Sequence, residues 1–392
     1  MKCPYCGQEH PDDTKFCPET GKQMKLQALF CNNPACNYRK PLPPTSKFCP
    51  NCGFELTIQE SARKQNLKSA KETYSHNNVK NKLRNKHRDS YSLPENESFI
   101  MFKCADTASV RFCAIEGYEV VTSLNKGVNI LSISQYPGIK RGFFFGSPYS
   151  DHDYQNHITE IDLTHFESSF VNRFTWMFRG CSSLKEINLE SLSSARPTDL
   201  CFMFGECASL ERVDLSVLDT SLVTGMWNMF DGCTNLKWIN FKGFSTVNNT
   251  TFRSFFRDCK SIEHLDLSGF DTSSVKDGDN TSCLGGGFEA MFYGCTSLKE
   301  IDLSNFNTLG ATVIDELFYG CSNLIDINLN NCDLSKIKSC KEMFNGCYSL
   351  KHISAYGCNR STLRLIRRQL ALARILNQVT IEHDNFSFRL FG

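Results

Sequence analysis

Seven cysteines within the first 52 residues stand at spacings that suit metal thiolates. Cys31, Cys36, Cys49 and Cys52 offer four sulfurs, the last two in a Cys-x-x-Cys turn followed by Gly53. Zinc takes four such ligands as a tetrahedron, and a site closed by protein ligands alone is structural. The short turn lets two sulfurs reach one ion while backbone amides stabilise the thiolates, and glycine supplies the permissive backbone after it. The first set is less regular. Cys3, Cys6 and Cys17 are in place, but Thr20 stands where the matching phrase has Cys52. Neutral threonine is a poor zinc ligand. His10 as a neutral imidazole would complete a site of three cysteines and one histidine. The competing readings are a surface histidine and a first site that has lost its metal. Two structural zinc ions are the expectation. A catalytic zinc is not, since no open coordination position with a general base beside it can be argued.

The two phrases Lys15-Phe-Cys-Pro-Glu-Thr-Gly21 and Lys47-Phe-Cys-Pro-Asn-Cys-Gly53 make residues 1–56 resemble the double zinc ribbon at the start of many prokaryotic proteins. The resemblance implies docking to another macromolecule. Ribbons of this size bury little core, so metal binding supplies their folding energy. Residues 57–97 follow as a polar stretch with nine Lys or Arg against five Asp or Glu. Without a sustained apolar period it cannot bury enough surface to order itself. We read it as a flexible basic linker. The competing reading is a nucleic-acid or ribosome-contacting arm acting through residues 1–97 by phosphate neutralisation. The linker's positive charges are diluted and short of stacking aromatics. The whole chain carries a formal charge of only +1, so no global field marks a nucleic-acid binder.

Beyond the linker a second set of cysteines sets a period. Cys181, Cys207, Cys233, Cys259, Cys295, Cys321 and Cys347 are 26 residues apart, with one step of 36. A fixed period in this range is the signature of a solenoid whose repeats stack on their neighbours. Phenylalanine stands three residues before every one of these cysteines, from Phe178 to Phe344, and apolar residues stand four and seven before. That spacing predicts one face of a short helix. After each cysteine comes Leu-x-x-Ile-x-Leu or a close variant, whose last pair alternates as a strand does. The expected fold is an α/β repeat solenoid over residues 151–392, a leucine-rich-repeat coil with one short parallel strand and one short helix per turn. Residues 361–392 form a C-terminal capping turn that begins with a longer helix over 361–377. Residues 98–150 lack the phrase and read as a β-rich N-terminal cap, with strands over Phe99–Cys104, Val110–Ile115 and Val128–Ile133. The extra residues between Cys259 and Cys295 are read as a loop, and its Asp277 and Asp279 lack the distal Glu of a calcium loop.

The phrase Met-Phe-x-Gly-Cys-x-Ser-Leu-x-x-Ile-Asp-Leu-Ser-x-Phe-Asp-Thr-Ser is similar to the BspA-type leucine-rich repeat of bacterial proteins. That resemblance implies a binding solenoid without catalytic activity, and many such relatives are cell-surface adhesins. The repeat cysteines are expected to be small buried hydrophobes rather than disulfides or metal ligands. The row Asp162, Asn188, Asp214, Asn240, Asp266, Asp302, Asn328 and Ser354 is read as a hydrogen-bonded ladder between strands. One residue earlier the side chains change type from turn to turn, as a ligand-reading surface would. Arg212, Trp238, His264, Glu300, Asp302, Asp326 and His352 are the candidates for a concave partner-binding face, with Trp238 as the anchor.

No nucleophile elbow, phosphate loop or framed acid pair is found, so no small-molecule substrate is evident. The first residues lack the apolar core of a signal peptide, and no apolar run reaches the ~20 residues a membrane helix needs. The thiolate spacings favour a reducing compartment, so the expected location is the cytoplasm. The function expected is a non-enzymatic protein–protein interaction scaffold. A nucleic-acid- or ribosome-associated factor and a cell-surface adhesin are the alternatives.

Overall fold

A computed structural model describes residues 98–113, 119–132, 143–144, 156–276 and 286–384. All of them fall in the second of the two units into which the chain divides, Pro94–Gly392. The zinc candidates Cys3, Cys6, His10, Cys17, Cys31, Cys36, Cys49 and Cys52 lie outside the described residues, as do the basic linker and Asp277 and Asp279 of the insertion.

The unit opens with two small antiparallel sheets. β1 (Phe99–Cys104) pairs with β4 (Gly127–Ser132) on one side and with β6 (Ile158–Asp162) on the other. β2 (Ala108–Cys113) pairs with β3 (Glu119–Leu124) and with β5 (Phe143–Phe144). The sequence pattern had missed β3. Ile158–Leu163 falls at the start of the solenoid expected over residues 151–392. The structure gives β6 both roles. It occupies the strand position of the repeat, yet its outer edge is covered antiparallel by β1, with Lys103 Nζ 2.8 Å from Glu160 Oε1 across the pair. An open solenoid end is thereby closed by a strand that runs against it.

The repeats then stack as parallel β-coils. β7 (Arg212–Asp214) pairs with β8 (Trp238–Asn240). β9 (Glu300–Asp302), β10 (Asp326–Asn328), β11 (His352–Ser354) and β12 (Thr380–Glu382) form a second parallel sheet in that order. The register advances by one repeat at each step, so Ile301, Ile327, Ile353 and Ile381 lie side by side.

The helix expected in each turn is not there. Residues at its second-turn position hold positive φ: Trp176 at 60°, Phe202 at 53°, Asn228 at 55°, Ser254 at 51°, Ala290 at 52°, Glu316 at 57° and Glu342 at 52°. A helix cannot run through such residues. Their N–H groups, with those of alternate neighbours, point along the solenoid instead. Phe174, Trp176, Phe178 and Gly180 donate to the carbonyls of Asp199, Cys201, Met203 and Gly205 in the next coil at 2.8–3.0 Å. The i, i+3, i+4 apolar spacing is produced by a chain of tight turns, closed by bonds such as Met177 N–H to Phe174 O and Cys181 N–H to Phe178 O. The glycine before the cysteine lies in the left-handed region: Gly180, Gly232, Gly294, Gly320 and Gly346 have φ between +69° and +83°.

Three ladders of side chains fill the coil. Phe178, Phe204, Phe230, Phe256, Phe292, Phe318 and Phe344 stack face to face, with successive centroids 5.3–5.9 Å apart and planes within 14°. Beside them run the repeat cysteines, all buried and free. Each thiol from Cys207 to Cys347 donates to the carbonyl of the ladder phenylalanine in the preceding coil at 3.0–3.2 Å. The third ladder is polar. The buried hydroxyls of Thr220, Thr246, Thr272 and Thr308 each donate to a carbonyl of the next coil and accept the N–H of that same residue. Both backbone groups of Ser245, Asp271, Asn307 and Asp333 are satisfied this way, and the same bonds satisfy the buried threonine hydroxyls.

The far end is closed by α1 (Arg360–Leu372). Asn359 caps it by accepting the Thr362 N–H at 2.9 Å. Leu363, Ile366 and Leu370 on one face are buried against the last coil. The chain then returns as β12 in the strand register, as the expected capping turn requires.

Candidate interaction face

Each strand from β7 to β12 is only three residues long, and its middle residue points inward. Val213, Ile301, Ile327 and Ile353 are buried. Its first and last residues therefore face out, giving columns that run along the solenoid at about 4.8 Å per coil. Three columns lie side by side, and they differ in what their side chains do.

From Lys185 to Lys299 the column just before the strands alternates in charge, and Ile325 then breaks the alternation. Lys237 Nζ lies 3.4 Å from Glu211 Oε2, and Lys299 Nζ lies 2.5 Å from Glu263 Oε2. Hydrogen bonding to Lys299 and its charge hold the Glu263 carboxyl below the usual carboxylate range. These pairs fasten neighbouring coils across exposed surface.

The column at the ends of the strands is the Asp/Asn row. The ladder expected there has one rung, from Asn240 Nδ2 to Asp214 Oδ1 at 2.9 Å. What recurs is local. Asp162, Asn188, Asp214, Asn240, Asp266, Asp302 and Asn328 each accept the backbone N–H two residues on, at 2.8–3.1 Å. These are Asx turns, and they bend the chain out of the strand. Asp302, a candidate for partner contact, spends one carboxylate oxygen on the Ser304 N–H.

The column between them holds Arg212, Trp238, His264, Glu300, Asp326 and His352. The parallel register aligns them: Arg212 opposite Trp238, and Glu300, Asp326 and His352 in succession. The Arg212 guanidinium carbon lies 5.3 Å from the Trp238 ring centroid, within reach of a cation–π contact. His264 Nδ1 lies 3.5 Å from Glu300 Oε1, with both side chains about three-fifths exposed. Arg212 and Trp238 are half-buried, while Asp326 and His352 are exposed. The sequence thus located a continuous column of outward side chains whose chemistry changes from coil to coil.

The repeat cysteines take no part in it. Burial pushes the thiols of Cys207, Cys259 and Cys321 well above their ordinary range, which disfavours the thiolate that ligation or nucleophilic attack needs. Among the described residues no group of three or more His, Cys, Asp or Glu side chains is placed to hold a metal ion. Among the same residues no helix is long and apolar enough to cross a membrane.

Ladders of stacked side chains inside and register-aligned columns outside define a parallel β-solenoid repeat protein. Its repeats match the model of the family described as "Mycoplasma protein of unknown function, DUF285" over residues 151–239, 198–282 and 244–356, and the chain belongs to that family. Two solved structures show a weaker likeness. A leucine-rich cell surface protein from Faecalibacterium prausnitzii A2-165 is 17% identical, with 48% of this chain and 77% of that one covered and a TM-score of 0.15. A leucine-rich repeat protein from Bacteroides ovatus ATCC 8483 is 13% identical, with 75% of this chain and all of that one covered and a TM-score of 0.18. No curated protein matches the sequence.

Proposed function

We propose that the chain is a non-enzymatic scaffold for protein–protein interaction, and that the Arg212–His352 column is where a partner is read. The observation that carries this reading is a contrast between columns. The interior and the Asp/Asn column repeat the same residue types, because each coil needs the same packing or turn, and the column before the strands swaps Lys with Glu to pair neighbouring coils. The column between them repeats its geometry but not its chemistry, and it presents Trp238 with a cation beside it, the kind of residue on which interface energy concentrates. In the same reading residues 1–56 bind two zinc ions through Cys3, Cys6, His10, Cys17, Cys31, Cys36, Cys49 and Cys52. They act as a second docking module in a reducing, cytoplasmic setting.

The test is affinity capture with in-cell crosslinking, comparing wild type with the Trp238→Ala/His264→Ala double variant. Both side chains project outward, so the variant is expected to keep its thermal midpoint while recovery of a specific partner falls about tenfold or more. Equal recovery of every captured protein would remove this column as the interface. Cell fractionation of the untagged protein separates this reading from that of a surface adhesin, which would require the protein on the cell exterior.

A further inference from the structure

Between the last full coil and α1 lies a groove of about 480 Å³, lined by Ile337–Lys341 on one wall and by Arg364, Leu365, Arg368, Gln369 and Leu372 on the other. α1 carries Arg360, Arg364, Arg367 and Arg368. The structure divides them. Arg367 turns away and lies 3.1 Å from His383 Nε2. Arg364 and Arg368, four apart and so on one helix face, meet Lys338 and Lys341 across the groove. None of these four cations makes an ion pair among the described residues. The nearby acid, Asp315, is already engaged by the Ser339 hydroxyl at 2.7 and 2.8 Å and by the Lys341 N–H at 2.6 Å.

Gln369 supplies an independent observation. It lines the groove and is only 7% exposed, yet its amide oxygen has no hydrogen-bond partner. A buried unsatisfied acceptor costs about 1–3 kcal/mol, so it is not there for stability.

We propose that this groove binds an acidic peptide segment of a protein partner that also carries aliphatic side chains. Four unpaired cations call for carboxylates. Arg364 and Arg368 are one helical turn apart, about 6 Å, which matches the ~6.8 Å between alternate residues of an extended peptide. The buried amide oxygen calls for an N–H donor, which a peptide backbone has and a phosphate chain lacks. Ile337, Leu365 and the 66%-exposed Leu372 offer apolar contact between the charges. No aromatic ring lines the groove, so it has no platform for stacking nucleobases.

The full chain is titrated against a short fluorescein-labelled peptide of alternating Glu and Leu, its Gln/Leu counterpart and a labelled oligothymidylate, followed by anisotropy. The Glu/Leu peptide is expected to bind saturably and the Gln/Leu peptide not to. Arg364→Glu with Arg368→Glu is expected to weaken binding about tenfold or more, while Arg367→Glu leaves it unchanged. Gln369→Leu is expected to weaken binding several-fold while the thermal midpoint holds or rises. Absence of saturable binding, or binding indifferent to the Arg364/Arg368 reversal, overturns the proposal. So does tighter binding of the oligothymidylate through the same two arginines. A Gln369→Leu protein with a lower midpoint and unchanged affinity overturns the amide's part in the site. These outcomes are independent of Trp238 and His264, so failure here is distinguishable from failure of the column.

Discussion

At the scale of single residues, the sequence showed which positions repeat but not what each side chain does. The repeat cysteines were legible as core residues. Their bond to the preceding coil's carbonyl was not, because a period of 26 gives a neighbour in the next coil and no atom within it. The threonine ladder went unread for the same reason: Phe-Asp-Thr-Ser looks like a polar loop until the next coil is stacked on it. Asp231 is a half-buried carboxyl at which the charged form is costly. Burial raises the Asp231 carboxyl from 3.8 to about 6, against a lowering bond from Asn228 Nδ2 at 2.5 Å and the attraction of Arg257. For a raised acid the stability contribution is fully present below its unfolded-state pKa and is lost as pH rises through about 6. Asp231→Asn removes that loss. In urea titrations the variant is expected to exceed wild type at neutral pH by up to about 3 kcal/mol, with the gap closing below about pH 4. A gap that does not change with pH would show that burial of the charge is not its origin.

At the scale of the element, strands and glycines were legible and the helix was not. Alternation of Ile and Leu around Asp302 has one structural solution, a strand with one face inward. The spacing of Phe288, Met291 and Phe292 has two: a helical face, or a run of turns that returns to the core every three or four residues. Only the backbone at Ala290, with φ of 52°, decides between them, and alanine gives no warning of it. Glycine does give warning. Gly346 has φ of +83°, and a Cβ there would lie 2.9 Å from the Gly320 Cα in the coil before. Gly346→Ala would both strain the backbone and push two coils apart. Left-handed strain alone costs about 1–2 kcal/mol, so the loss in urea denaturation is expected to exceed about 2 kcal/mol. A Gly127→Ala control shares the positive φ, at +101°, but has nothing within 4 Å of the added Cβ. Equal losses in the two variants would mean that coil contact adds nothing.

At the scale of the whole repeat unit, the two ends are built differently, and that difference has a consequence. The first coil is covered by an antiparallel strand, β1, which is itself paired on both sides. The last coil is covered by α1 and by β12, a strand of the same parallel sheet. Removing residues 360–392 strips the buried Leu363, Ile366 and Leu370, each worth about 1.5–3 kcal/mol of burial, and leaves β11 as an open edge. Contacts within a solenoid run only between neighbouring coils, so the damage stays local. Hydrogen exchange is expected to speed up at β10 and β11 and to stay slow at β7 and β8. The exposed edge would then seek a strand. At the other end of every molecule the first solenoid strand, β6, is already covered by β1, so the open β11 edge finds no solenoid strand there to pair with. Two identical open ends can only meet each other, which gives a closed two-fold dimer. Light scattering on the truncated protein should therefore show a doubled mass that does not grow with concentration. A ladder of higher species would show instead that the N-terminal cap leaves a strand edge open.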